Sequence, residues 1–519
     1  MASIRGSLGK QQRQPRKPRT APDTLHSKQY AQLVDLLSEG EIGGLVNGAQ
    51  SIFLDNTPLQ NADGSYNFQD VVYQERTGTQ IQSAVAIYGD AGNVENERPV
   101  GVEVTQAGGA IIRTITAATV DAVRITITVP QIYIITDKGD VGAEDAHVVI
   151  DRRYTGGGWI QQYSDTNGGL IRGRSNDAYQ RDFIVPIAGG TFPVDIRVSR
   201  GNPDSTSEKK VNDFIWASYT EVTYAKFRYP NSAYIALRCN AEIFSNIPQR
   251  SYLINGIKVA IPSNATVDPT TGRLIYAGVW NGLFGAAQWT TDPAWILWDL
   301  LTDTRYGFGD HIQAADLDKW AFYACSVYSS ALVSDGRGGL EPRFSCNVNI
   351  QTAEDAYKLI GDMCSVFRAM PYWGAGALTV SQDAPSDPTY LFTPANVKDG
   401  IFNYTGSSLK NRPTVAIVSY MDLTLRDITK EVVEDQALIA KYGVTTTEIS
   451  AFACTSRSQA HRLGRWMLYS EWNESEVVTF TVGIEAGVVV RPGQIISIDR
   501  KSTRLNSSHV SESRMPSSA

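Results

Sequence analysis

Between about Pro99 and Tyr219 the chain breaks into short segments in which apolar and polar residues alternate. Glycine, proline, asparagine or aspartate separates each segment from the next. "AIIRTITAATVDAVRITITVP", "DAHVVIDRRY", "GGGWIQQYSD", "DFIVPI" and "PVDIRVSR" are the segments concerned. A two-residue period puts one face of each strand inward and one outward, which a helix cannot do. Regular spacing with turn signals predicts an antiparallel sandwich of about 100 residues. Trp159 is its expected core aromatic. Because it lacks any helical pattern, the sandwich reads as a separate module inserted into a surrounding domain.

The flanks mix strand and helix. "SKQYAQLVDLLSEG" places Tyr30, Leu33, Val34 and Leu37 at helical spacing before Gly40, which predicts a short helix. "GAQSIFLDNTPLQNADGSYNF" reads as strand, turn and strand, with Asp63-Gly64 as the turn. Strands resume in "EVTYAKFRYPNSAYIALRCN" and "YLINGIKVAIPSNA".

The stretch from Trp289 to Ser330 then holds four tryptophans in 42 residues. Asp292 before Pro293 is a helix start, since Asp accepts from free N–H groups and Pro fits the first turn. Trp295, Trp298 and Leu301 share a face, and the glycines of "YGFG" are expected to end the helix with positive φ. A second helix would present Leu317, Trp320, Ala321, Ala324 and Tyr328 as one stripe, with Asp316 and Asp318 near its start. A third opens near Thr352 and Asp355 and carries Ala356, Ile360, Met363 and Phe367. "RFSCNVNI" and "ALTVSQD" read as strands, giving an α+β unit with helices over a sheet. Its tryptophans read as rigid core, while Trp280 and Trp289 sit in loop-like sequence suited to packing beneath a neighbouring subunit. The last third returns to strands in "GIFNYTGSSLKNRPTVAIVSYMD" and "EVVTFTVGIEAGVVVRPGQIISID", around a helix "SRSQAHRLGRWMLYSEW".

Chemistry is sparse. Five cysteines, Cys239, Cys325, Cys346, Cys364 and Cys454, lie far apart without ligand spacing and read as buried reduced thiols in a protein made in the cytoplasm. His147, His311 and His461 are isolated, so no zinc site is expected. Gly157–Ile160 and Gly336–Leu340 lack the order of a phosphate loop. Asp335 and Glu341 do not match a calcium loop and predict a turn. No GxSxG elbow occurs. Paired carboxylates for glycan hydrolysis are present only in the sense that 54 acidic residues always supply pairs. No cofactor, metal or catalytic residue is expected. A net charge of −7 does not favour nucleic acid. No run reaches the ~18 apolar residues that cross a bilayer, the N-terminus lacks the apolar region of a signal peptide, and no repeat of solenoid length occurs.

Residues 1–24 carry Arg5, Lys10, Arg13, Arg16, Lys17 and Arg19 with no acid before Asp23. With almost no apolar side chains the segment is expected to be disordered alone. It reads either as a solubilising tail or as an arm that orders on an acidic neighbouring subunit through Arg13, Arg16, Lys17 and Arg19. At the other end, the serine-rich and pattern-free "RKSTRLNSSHVSESRMPSSA" resembles tails on unrelated reading frames that run into sequencing-adapter DNA. Residues 500–519 therefore read as non-native and the natural product as longer.

Several motifs carry a resemblance. "LVDLLSEGEIGGLVNG" (Leu33 to Gly48), "WASYTEV", "YPNSAYIALR", "YAGVWNGLF", "AWILWDLLTDTRYGFG", "AADLDKWAFY", "DGRGGLEPRFSCN", "MPYW", "QDAPSD", "AFACTSRSQAHRLGRWML" and "RPGQIISI" resemble, in order, the tip attachment protein J (host-specificity protein) family of lambda-like siphophages. The resemblance covers roughly residues 25 to 499. It implies a structural virion protein at the tail tip: a homotrimeric hub that closes the distal end of the tail tube, contacts other tip and tube proteins, and bears a host-attachment fibre. The family hub is mainly β with α+β parts and an inserted fibronectin-III-like sandwich.

The division expected on that basis is a basic arm (1–24), a first hub part (25–98), the inserted sandwich (99–220), return strands (221–288), an α+β hub domain (289–400) and a β-rich hub domain with one helix (401–499). The fibre that reaches the host outer-membrane receptor is absent from this sequence. The resemblance implies roles in tail assembly, host attachment and DNA delivery, and brings no catalytic residue. A tail-associated cell-wall hydrolase and a direct receptor-binding adhesin are the rival readings.

Overall fold

A computed structural model describes residues 16–27, 30–85, 93–224, 228–240, 243–244, 246–351, 355–374, 376–406, 408–409 and 412–499. The expected non-native tail, 500–519, lies outside the described residues.

Two antiparallel sheets form the sandwich. One orders Tyr179–Pro186, Ala122–Val129, Ile215–Tyr224 and Asn93–Glu103. The other orders Ile160–Tyr163, Glu144–Tyr154, Val194–Arg200 and Ile111–Ile115, with Leu170–Gly173 also pairing Glu144–Tyr154. The two-residue period does what it promises: Val123, Ile125, Ile127 and Val129 turn inward, as do Val194, Ile196 and Val198, all fully buried. Removing each such side chain from water contributes about 1.5–3 kcal/mol.

The core aromatic is Trp216, not Trp159. Trp216 sits on a central strand, is fully buried and donates its indole N–H to the Ser218 carbonyl at 2.9 Å. Trp159 is only half-buried, because the preceding glycines deliver it to the start of an edge strand. There the Arg153 and Arg197 guanidiniums cover its ring at 4.5 and 4.3 Å.

The segment expected to be a helix, Tyr30–Glu39, is a strand. It pairs antiparallel with Ser232–Asn240, which also pairs Val71–Thr77. Leu33 and Leu37 satisfy a two-residue period as well as a helical one, so the long partner strand decides. Asp35, on that same inward face, accepts from Arg250 Nε at 2.6 Å and Nη2 at 2.9 Å. In the next segment the hairpin of Ile52–Leu54 with Thr57–Pro58 turns at Asp55 and Asn56, both with positive φ. Asp63-Gly64 makes a further turn, closed by the Ser65 N–H donating to Asp63 Oδ1 at 2.9 Å.

The α+β unit contains α1 (Pro293–Thr302), α2 (Lys319–Ser330), α3 (Ala356–Val366) and the hairpin Ala369–Gly374/Ala377–Gln382. Asp292 caps α1 as expected and Asp355 caps α3; Thr352 lies outside the described residues. The "YGFG" glycines serve a different purpose from the one expected. Neither has positive φ; instead, a Cβ on Gly307 would lie 2.2 Å from the Leu300 carbonyl oxygen, and one on Gly309 would lie 2.3 Å from that of Thr302. The turn folds back so tightly on the end of α1 that only glycine fits.

On α2 the buried stripe is Phe322, Cys325, Ser326, Ser329 and Ser330, rotated from the expected one, and Trp320 is 51% exposed. The rotation brings Ser326 and Ser330 onto the buried carboxyl of Asp292. Trp280 is buried in the unit's own core rather than left for a neighbouring subunit, and Trp289 ends the strand Phe284–Trp289. After Arg343, "RFSCNVNI" is not a ladder strand. It is pinned by separate bonds to distant carbonyls, Phe344 to Ser329, Cys346 to Thr291 and Asn347 to Ala453.

The last third adds α4 (Gln436–Tyr442) and the sheet Asp427–Glu434/Val415–Asp422/Thr446–Ser450, crossed by α5 (Arg457–Asn473). Gly464 lets α5 approach: a Cβ there would meet Val433 Cγ2 at 2.7 Å. Ile484–Val489, expected to be extended, forms α6 with Ala486 turned inward, after which Ile496–Ile498 pairs in parallel with Tyr390–Phe392. All five cysteines are buried and free of disulfides. No helix among the described residues is long and apolar enough to cross a membrane.

Candidate interaction surfaces

The polar heart of the α+β unit is built around Asp292. Its Oδ1 accepts from the backbone N–H of Ala294 and Trp295, both at 3.1 Å. Its Oδ2 accepts from Ser326 Oγ at 2.6 Å and Ser330 Oγ at 3.1 Å. Ser326 also meets Tyr276 Oη at 2.5 Å, and that hydroxyl accepts the indole N–H of Trp295 at 2.9 Å. Rings of Trp280, Phe284 and Trp298 pack around Trp295, and Phe322 packs against Trp298. Burial pushes the Asp292 carboxyl up from its ordinary value against these donors.

Burial likewise pushes Asp299 up to about 6, although Tyr306 Oη donates to it at 2.6 Å. Burial also drives the Cys325, Cys346 and Cys364 thiols up to about 12, which keeps them protonated and inert. Neither raised carboxyl lines the large cleft beside α5. Asp292 and Asp299 hold a core together.

The other residues weighed for chemistry lie apart from one another. Asp335 Oδ1 closes a turn by accepting from the N–H of Arg337 at 2.7 Å and Gly339 at 2.9 Å. Glu341 instead pairs with Arg462 and Ser456. His461 rests 3.1 Å from Glu431, His147 lies 3.9 Å from Asp165, and His311 is exposed. Among the described residues no group of three or more His, Cys, Asp or Glu could hold a metal ion.

The basic arm is in part an extended strap on the sandwich. Arg16 Nη2 meets Asp140 Oδ2 at 2.5 Å, and the Arg19 backbone N–H donates to Asp140 Oδ1 at 2.8 Å. The Ala21 N–H donates to the Val141 carbonyl and the Val141 N–H to that of Arg19. Asp23 pairs with Arg174 at 2.6 Å, and Leu25 packs on the sandwich core. For residues 16–24 the expected disorder therefore does not hold, because aspartates and strand edges of the same chain supply partners. Lys17 is exposed. Arg5, Lys10 and Arg13 lie outside the described residues.

Sequence reasoning missed a cleft of about 1320 Å³ between α2, the hairpin Leu332–Ser334/Leu340–Pro342 and α5. Arg343, Arg368, Arg462, Arg465 and Trp466 line it. They come from separate stretches of chain, so no single spacing betrays them. The available signal is on α5, where Arg462, Trp466 and Tyr469 share a helical face.

Together these features define a multidomain, mainly β protein whose prominent surfaces are a strap, exposed strand edges and a charged cleft. A family profile described as "Tip attachment protein J, FNIII-A domain" matches residues 94–225, which hold the sandwich, and one described as "Putative phage tail protein" matches residues 355–508. "Tip attachment protein J" of Escherichia phage SECphi27 is 34% identical over 499 residues, covering 95% of this chain and 40% of that protein. The protein of the same description from Escherichia phage SECphi4 is 34% identical, covering 93% and 41%. The chain belongs to the tip attachment protein J family of phages and spans about two-fifths of the length of these curated relatives. The stem and receptor binding domain of spike protein P1 from bacteriophage PM2 overlaps 42% of this chain and 99% of its own. With 11% identity and a TM-score of 0.17, that likeness carries no argument.

Proposed function

We propose that this chain is a structural component of a phage tail tip: a homotrimeric hub that closes the distal end of the tail tube and forms the base of the host-attachment fibre. The observation that supports it is similarity at 34% identity along 95% of the chain to a protein described as a tip attachment protein. On this reading the chain joins other tip and tube proteins and serves tail assembly, host attachment and DNA delivery. Receptor contact belongs to a fibre beyond it. A ring of identical subunits needs two different complementary patches on each protomer, and permanent interfaces of that kind bury more than ~2,000 Å². The edge strand Tyr30–Glu39, with Val34 and Leu36 54% and 64% exposed, has a character that suits such a patch. Lys17 and Arg19, with Arg13, are the arm residues proposed to reach a neighbouring tip protein; the Arg16 guanidinium is already paired with Asp140 of its own chain.

Two measurements test this reading. Light scattering of residues 16–499, which keep the strap, is expected to give a trimer mass across a concentration series. A monomer at every concentration would remove self-assembly of the ring from the reading. Gold labelling of a tagged chain in assembled virions is expected to mark the distal end of the tail. Label on the head or along the tube, or virions that assemble without the chain, would overturn the reading.

A further inference from the structure

The cleft beside α5 is larger than the ~300–1,000 Å³ that suits a small molecule, and its walls combine guanidinium groups with aromatic rings. Arg343 lies over the Tyr328 ring at 4.3 Å and its Nη1 donates to the Tyr328 hydroxyl at 3.4 Å, while its buried Nε makes no hydrogen bond among the described residues. Arg368 lies over Phe344 at 5.0 Å and Trp466 at 5.4 Å. Burial pulls Arg368 below its ordinary value; Asp383 opposes that pull, and the positive charges of Arg343 and Arg462 add to it. Arg465 adds an exposed guanidinium from α5.

The acids beside the cleft have partners of their own. Asp383 accepts the Trp466 indole N–H at 3.0 Å, Glu341 is taken by Arg462, and Asp435 caps α4 through the N–H groups of Ala437 and Leu438. Stacking on a ring leaves the edge of a guanidinium open, and that edge matches a carboxylate with two parallel bonds.

We infer that this cleft receives an extended acidic peptide segment of a partner protein, with carboxylates on Arg343 and Arg465 and apolar side chains against Tyr328 and Trp466. The size of the groove suits a segment of chain, and aromatic walls flanked by arginine edges suit alternating acidic and apolar residues. Nucleic acid is disfavoured, because backbone phosphates require an open basic track whereas Asp383 and Asp435 interrupt this one. The inference does not depend on the tail-tip reading, since its test uses the purified chain alone.

The probe is a fluorescein-labelled peptide alternating glutamate or aspartate with leucine or phenylalanine, compared with its glutamine/asparagine isostere by fluorescence anisotropy. The acidic peptide is expected to bind the full chain at least ~10-fold tighter than the isostere, with an advantage that shrinks as salt rises. Arg343→Gln and Arg465→Gln are each expected to cut that advantage about threefold or more while leaving the isostere unchanged. Arg465 is exposed, so its variant keeps the test valid if Arg343→Gln impairs folding. Equal binding of the two peptides, or no binding of either, would sink the idea. So would an oligothymidylate that outcompetes the acidic peptide.

Discussion

The sandwich and the α+β unit each bury a large set of side chains, but they organise them by opposite means. In the sandwich, alternation sends Ile125, Ile127, Val148, Ile150, Ile196 and Trp216 into one apolar layer, and apolar burial dominates the arrangement. In the α+β unit, aromatic rings pack beside a carboxyl group held by two backbone N–H groups and two serine hydroxyls. A layer of apolar strands tolerates local exchange of volume. A buried polar centre does not tolerate loss of a partner, because each orphaned group costs its own desolvation. The sandwich is therefore fragile to emptied volume and the α+β unit to a broken hydrogen bond.

Emptied volume should be the more costly of the two. Trp216→Ala removes a fully buried indole and is expected to cost about 3–5 kcal/mol. Hydrogen exchange read by mass spectrometry should then show protection lost across residues 93–224 and kept across 293–330. Protection lost equally in both regions would show that they do not unfold separately, and the comparison would fail.

Asp292→Ala is the mirror experiment, with an expected loss of about 3 kcal/mol. It strands the hydroxyls of Ser326 and Ser330 and the N–H groups of Ala294 and Trp295. Here protection should fall in α1 and α2 and persist in the sandwich. A variant as stable as the parent would mean that the carboxyl group is incidental to the core.

Asp299 exposes the same contrast through pH. Its folded value is about 6 against an ordinary 3.8, so between those two values the folded state binds the proton that the unfolded state has released. Stability from this group is therefore present at acid pH, falls as pH rises through that window, and is flat above it. Asp299→Asn keeps an acceptor for Tyr306 without the charge. It is expected to be more stable than the parent at pH 8 by on the order of 2 kcal/mol, and little different near pH 4. Denaturant midpoints at the two pH values decide it; a variant weaker than the parent at pH 8 contradicts the account.

A last and minor effect separates tryptophans that look alike in sequence. Trp320→Ala, at a position 51% exposed, is expected to cost less than about 1 kcal/mol. A loss in thermal or denaturant unfolding as large as that of Trp216→Ala would place Trp320 in the core after all.

Legibility followed the physics of each region. The sandwich strands could be read because alternation is a local consequence of the pleat, visible in any few residues. Its central tryptophan could not, because strand order decides whether an aromatic lies on a central strand, like Trp216, or at an edge, like Trp159. On α2 the apolar pattern pointed to Trp320 and Tyr328, yet the inward stripe includes three serines. Hydrophobicity misreads a helix whose buried face serves a carboxyl group at the start of another helix. The charged cleft was out of reach for the same reason, since Arg343, Arg368 and Trp466 meet only once three stretches of chain have folded together.

The mainly β character, the cap at Asp292, the turn at Asp335 and the family resemblance all follow from the order of residues, because each rests on neighbours in the chain. That Tyr30–Glu39 is a strand, that Gly307 and Gly309 are needed for close approach, and that residues 16–24 strap the sandwich emerge only in three dimensions. Each of those depends on a group that the local pattern does not contain. A backbone hydrogen bond or a packed side chain stabilises whichever local conformation meets its partner, whatever the segment would prefer alone.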